Sequence, residues 1–172
     1  MLIEFTTFAV LAAAPAPLLA ATPAPTGDQQ ECRASSPGIR VNVAGLKDRA
    51  GVLKLELYPA NQTDFLKDDQ TLLKAGKVFR RIQAPVPRQG AVSLCIAAPR
   101  AGRYAVIVVH QRTGKPKFSI AKDGIGVPGN DRLGRKRPTV EQASVVVESG
   151  VATATVTMQY LRGLSGFGPV VE

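Results

Sequence analysis

The feature that most constrains the fold is a two-residue periodicity that recurs along the chain. From Gly38 to Ala44, Ile39, Val41 and Val43 share one face while Arg40 and Asn42 point the other way. From Val52 to Tyr58, Leu53, Leu55 and Leu57 alternate with Lys54 and Glu56. Successive side chains of an extended strand point to opposite faces, so each run can bury its apolar side only within a sheet. Five further runs read as strands: Val78 to Ile82, Ala91 to Ala97, Tyr104 to His110, Val140 to Val147, and Val151 to Tyr160. Turns such as PVPRQG and APRAG separate them, and Glu148, Ser149 and Gly150 are expected to join the last two runs as a hairpin. Asn61 to Lys77 lacks the alternation and reads as a surface loop with a short helical turn. Few helical periods and many short strands predict an all-β fold, a single antiparallel β-sandwich of about seven strands. In the last run, Thr153, Thr155, Thr157 and Gln159 share a face that reads as solvent-exposed, since β-propensity alone accounts for threonine there.

The N-terminus bears on the compartment. Phe5 to Ala21 is almost wholly apolar but is broken by Pro15 and Pro17, too short to span a bilayer and suited to a secretory leader. Residues 1–21 are therefore expected to be a signal peptide, with small residues at Ala20 and Ala21 for cleavage. Its first residues depart from the usual pattern, carrying Glu4 and no lysine or arginine, and the rival reading is a misplaced start or an unstructured tail. Cys32 lies about ten residues past the cleavage point, which argues against a lipoprotein anchor. Residues 22–37 read as a flexible lead-in, 38–161 as one domain and 162–172 as a tail in which Leu164 and Phe167 are spaced by glycines. The tail is expected to fold back over the end of the domain, and the rival is an exposed partner-binding peptide. No other segment is apolar and long enough to cross a membrane, so the expected location is periplasmic or secreted. There Cys32 and Cys95, the only cysteines, are most simply a disulfide. Closing a loop of about 60 residues stabilises a fold by roughly 4 kcal/mol. The alternative is two unpaired buried thiols, and a catalytic role is disfavoured because Cys95 sits mid-strand in VSLCI with no acid or base beside it.

Charge is the next signal: 22 lysines and arginines against 13 acids give +9. Eight of the cations, Arg112, Lys115, Lys117, Lys122, Arg132, Arg135, Lys136 and Arg137, crowd one long loop that holds only Asp123 and Asp131 as acids. These eight are the candidate anion-binding residues, suited to lipopolysaccharide phosphates, acidic polysaccharide or phospholipid head groups. Nucleic acid is disfavoured, because Phe118 is the loop's one aromatic for stacking and a leader carries the protein away from the genome. The plain alternative is a solvated basic face that aids solubility. His110, the single histidine, ends a strand. A general base needs an orienting carboxylate and a nucleophile, and a zinc site needs further histidines or cysteines; neither set accompanies it in sequence. His110 is expected to anchor the following loop, with no catalytic residue, metal or cofactor.

The order GLKDRAGVLKLELY, GRYAVIVVH, DGIGVPGN, RPTVEQASVVV and TVTMQYL resembles the small exported bacterial proteins of the domain of unknown function 2141 family, over Ile39 to Leu161. The resemblance implies an exported β-sandwich of the immunoglobulin-like or prealbumin-like type with no established reaction. Members commonly follow the histidine with HDxNxNGxxD, a pattern suited to a hard cation. Here Gln111, Arg112, Thr113, Gly114, Lys115, Pro116 and Lys117 follow it, so the carboxylates are gone and three cations stand in their window. That argues against Ca²⁺ at the loop. Asp123, Asn130 and Asp131 remain as oxygen donors further on, opposed by Lys122 and Arg132. The expected function is a non-catalytic module that binds an anionic envelope component through the basic loop. The alternative is an interaction module that docks onto another envelope protein through a sheet edge or the tail.

Overall fold

The computed structural model describes residues 32, 36–129 and 132–170. The expected leader, most of the lead-in, Asn130 and Asp131 lie outside the described residues. Among the described residues ten strands make the structure mostly β: β1 Gly38–Ala44, β2 Val52–Pro59, β3 Arg80–Pro85, β4 Val92–Ala97, β5 Gly102–Gln111, β6 Gly124–Gly126, β7 Ser144–Val147, β8 Val151–Thr157, β9 Gln159–Leu161 and β10 Phe167–Pro169. Two short helices, α1 Asp69–Lys74 and α2 Val140–Ala143, lie between them. One sheet has three strands in the order β4-β1-β8; the other has seven, in the order β10-β9-β6-β5-β2-β3 with β7 also paired to β5. Pairing is antiparallel except between β1 and β8, which run parallel with Val41 opposite Ala154.

The alternation sorts each strand's side chains between two apolar clusters. Ile39 and Val41 of β1, Leu94 and Ile96 of β4 and Val156 of β8 meet Leu53, Leu55 and Leu57 of β2 and Val106 and Val108 of β5 in one buried core. The intervening residues of β2 and β5, Tyr58, Ala105 and Ile107, join a second cluster with Phe65, Leu72, Leu133, Val140 and Ala143. Strand β5 is thus buried on both faces, which is why its run GRYAVIVVHQ is nearly continuous in apolar residues. Each large aliphatic side chain taken from water into these clusters stabilises the fold by about 2 kcal/mol. Cys32 and Cys95 form a disulfide across 5.7 Å between Cα atoms, fastening the segment before β1 to β4.

Several expectations are corrected. The described residues hold ten strands in place of about seven, because β6, β9 and β10 are three residues each, too short to carry a periodic signal. Residues 140–147 are not one strand: the Thr139 hydroxyl accepts from the Gln142 amide and the Gln142 side chain accepts from the Thr139 amide, and this capping box starts α2 before β7 begins. The expected hairpin is absent, since β7 pairs with β5 while β8 pairs with β1, so the Glu148 to Gly150 turn carries the chain from one sheet to the other. The run Val151 to Tyr160 likewise breaks at Met158, whose amide donates to the Ala44 carbonyl at 2.8 Å, and β9 enters the seven-stranded sheet. Thr153 and Thr155 are exposed, but Gln159 is fully buried. The basic stretch is not one open loop, because β6 within it pairs with β5 and β9. Strand β3 starts two residues later than expected, at Arg80, and runs to Pro85. No helix among the described residues is long and apolar enough to cross a membrane.

Candidate functional site

The end of β5 is closed by a directed hydrogen-bond chain. The Nε2 atom of His110 lies 2.7 Å from the Ala50 carbonyl oxygen, so it carries the proton that the carbonyl accepts. Its Nδ1 lies 2.6 Å from the Tyr160 hydroxyl, which in turn accepts from the Lys47 amide at 3.0 Å. The Tyr160 hydroxyl thus bridges the Lys47 amide and the His110 ring. Both ring nitrogens are engaged, and the side chain is fully buried. Burial pushes the Tyr160 hydroxyl up to about 12, against the pull of the Lys47 amide. Asp48, 4.0 Å from His110 Nε2, faces Arg112, whose Nε donates to it at 2.6 Å. Partial burial works against the Asp48 charge, yet the Arg112 guanidinium and the Ala50 amide outweigh it and hold the carboxyl below its ordinary value.

The loop after β5 is held from within. Asp123, 1% exposed, accepts the Arg112 amide on one oxygen at 3.0 Å and the Ser119 amide on the other at 2.8 Å. Gln111 donates to the Pro116 carbonyl at 2.9 Å, and Arg112 donates to the Lys122 carbonyl at 3.1 Å. The motif DGIG that follows owes its glycines to space. A Cβ on Gly124 would stand 2.4 Å from the Tyr160 ring, and one on Gly126 would stand 2.5 Å from Val156. Strand β6 can therefore cross these side chains only without side chains of its own at both positions.

On the outer face of the seven-stranded sheet lies a groove of about 860 Å³. Ile107 and Val109 of β5, Ile125 of β6, Leu133 and Phe167 line it, and Phe118, Ile120, Leu161 and Leu164 stand around it. Its charged residues are Lys54, Glu56, Arg135, Lys136 and Arg137. Glu56 is already matched, since it accepts from the Tyr58 hydroxyl at 2.7 Å and from Arg81 at 2.8 Å. Burial, with that carboxylate alongside, pushes the Tyr58 hydroxyl far up. The segment carrying Arg135 to Arg137 is sewn to the C-terminal strand: the Gly134 amide donates to the Phe167 carbonyl at 2.8 Å, the Phe167 amide returns to Gly134 at 2.6 Å, and Arg135 Nε donates to the Leu164 carbonyl at 2.8 Å.

The eight predicted anion-binding residues thus divide. Arg112 is turned inward onto Asp48, whereas Arg135, Lys136 and Arg137 gather at the groove. Lys115, Lys117 and Lys122 are exposed on the turns of the 112–122 segment, and Arg132 is exposed ahead of Leu133. His110 binds Ala50 of the β1–β2 turn and Tyr160 of β9 rather than the loop that follows it. Asp48 and Tyr160 were not foreseen as its neighbours, because they lie 62 and 50 positions away and only the pairing of β5 with β2 and β6 brings them together. The apolar groove was also missed, although Ile107 and Val109 on the second face of an all-apolar strand were a signal for it. No curated protein and no solved structure matches the chain. The family model described as an uncharacterized protein conserved in bacteria (DUF2141) matches residues 41–155, well over half of the chain, and the chain belongs to that family.

Proposed function

We propose that this is an exported, non-catalytic binding protein of the bacterial envelope, periplasmic or secreted, that holds an anionic component against Arg135, Lys136 and Arg137. The observation that carries this reading is the gathering of those three exposed cations on the rim of one groove. The Cys32–Cys95 disulfide favours an oxidising compartment, as does the leader-like Phe5 to Ala21. The full engagement of both His110 nitrogens favours a structural histidine over a catalytic one. We read the two sheets as a β-sandwich of the immunoglobulin-like or prealbumin-like type, on the support of the core that both supply. A second reading, docking onto another envelope protein through the C-terminal tail, is favoured by Leu164, which is 87% exposed. The two readings converge on one patch, because Arg135 is held by the Leu164 carbonyl.

The test is a titration of the protein against lipopolysaccharide and anionic vesicles at rising ionic strength. Affinity should fall steeply with salt, and Lys136→Glu combined with Arg137→Glu should weaken it at least about tenfold. Binding indifferent to both would sink the anion reading. Mass spectrometry of the native protein reads the N-terminus, and an uncut leader would count against export.

A further inference from the structure

The geometry points to the ligand's chemistry: the groove takes the single acyl chain of an anionic lipid, with the chain along Ile107, Val109 and Ile125 and the acidic head at Arg135, Lys136 and Arg137. This rests on the anion-binding reading above and narrows it to an amphiphile.

Three observations carry it. Among the described residues the exposed large apolar side chains are Leu73, Phe118, Ile120, Val146, Leu161 and Leu164, and four of these six border this groove. Scattered apolar residues on a surface need no account, but a contiguous group around a concavity marks a place where apolar matter is received. The volume of about 860 Å³ falls in the range of small-molecule sites. Its charges are also one-sided: Lys54, Arg135, Lys136 and Arg137 stand against Glu56 alone, and Glu56 is held by Arg81 and Tyr58. A polysaccharide or bare phosphate polymer would find the rim but have no use for the floor. A second copy of the chain in a two-fold contact would set this net-positive patch on itself, with Glu56 the one acid among the groove's charged residues to offset four cations. An acyl chain with an acidic head satisfies floor and rim together.

The experiment uses the full chain and a lysophosphatidic acid series from octanoyl to palmitoyl, each below its micelle concentration, read by displacement of a fluorescent fatty acid. Parallel arms use lysophosphatidylcholine of matched chain, glycerol phosphate as head alone, and anionic vesicles. Each added methylene buried should tighten binding about three- to fourfold until the groove is full. Lysophosphatidylcholine should bind at least about tenfold more weakly, since its added positive charge offsets the acidic head. Ile120→Glu with Leu164→Glu, at positions 61% and 87% exposed, should flatten the chain-length dependence without unfolding the protein. Phe118→Ser provides an independent second variant, and thermal melts verify that each is folded.

Affinity independent of chain length, with vesicle binding still sensitive to salt, would overturn the acyl inference and leave the anion reading standing. Chain-length dependence indifferent to head-group charge and salt would overturn both. A dimer that dissolves in the Ile120→Glu, Leu164→Glu variant would overturn the inference in favour of a second copy as occupant.

Discussion

At the start of the 111–138 stretch Arg112 is engaged inside the molecule, whereas near its end Lys136 and Arg137 stand in solvent. Arg112 gives its guanidinium to Asp48 and the Lys122 carbonyl, and its amide to Asp123. Lys136 and Arg137, some two dozen residues on, are exposed at the groove. The same residue types, adjacent in any count of charge, have been given different work: one fastens turns together and the others present charge. The count of eight cations therefore overstates the charge that stands exposed, and the only histidine, the residue that looks most like a catalytic group, is fully buried.

That contrast can be broken by substitution, with the largest effects expected at the closed end. His110→Ala removes a fully buried ring and both of its hydrogen bonds and should cost about 3 kcal/mol in urea denaturation, while groove binding by the folded fraction is unchanged. A comparable loss of binding would mean that His110 belongs to the site. Tyr160→Phe keeps the ring but leaves His110 Nδ1 and the Lys47 amide without their shared hydroxyl, a cost of about 1 to 2 kcal/mol by the same measurement.

Asp48→Asn should cost about 1 kcal/mol at neutral pH, the partly exposed pair with Arg112 being screened by water. Its pH dependence has a definite sign. The Asp48 carboxyl is held below its ordinary value of 3.8, so its stabilisation is fully present above about pH 4 to 5 and is lost as pH falls through the lowered value. The gap between wild type and Asp48→Asn should therefore be constant from neutral pH down to that window and close below it. A gap that widens on acidification would contradict the assignment. At the open end, Lys136→Ala with Arg137→Ala should leave stability within about 0.5 kcal/mol while weakening anion binding. A marked drop in melting temperature would show that these side chains belong to the fold after all.

How much of this was legible in the chain follows from the range of each signal. Strand β1 has the bounds its alternation predicts, and β2, β4 and β5 fall within a residue or two, because Ile39, Leu53, Leu55 and Val106 repeat with period two within one element. The helix at 140–143 was legible in principle, since Thr139 and Gln142 carry the spacing of a capping box, but Val145 to Val147 extended the apparent strand backwards over it. The switch of sheets at Met158 was hidden for a different reason. Val156, Met158 and Tyr160 are all buried, so the period runs on unbroken while the partners change. The pairing of Asp48 with Arg112 depends on a contact across 64 positions, which no local pattern encodes.

The parallel pairing of β1 with β8 sets an order of events for a chain made from its N-terminus. β1 can meet β4 once Ala97 has emerged, and Cys32 can then be oxidised with Cys95, yet the other edge of β1 has no partner until residues 151–157 arrive. During that interval the apolar face carrying Ile39, Val41 and Val43 is incompletely covered and an edge of backbone donors and acceptors stands open, the combination that invites strand addition from a neighbouring chain. Chains cut short before Val151 are expected to aggregate on refolding under dilution that returns the full-length chain as monomer. The second edge of β1 is thus closed only by the far end of the chain.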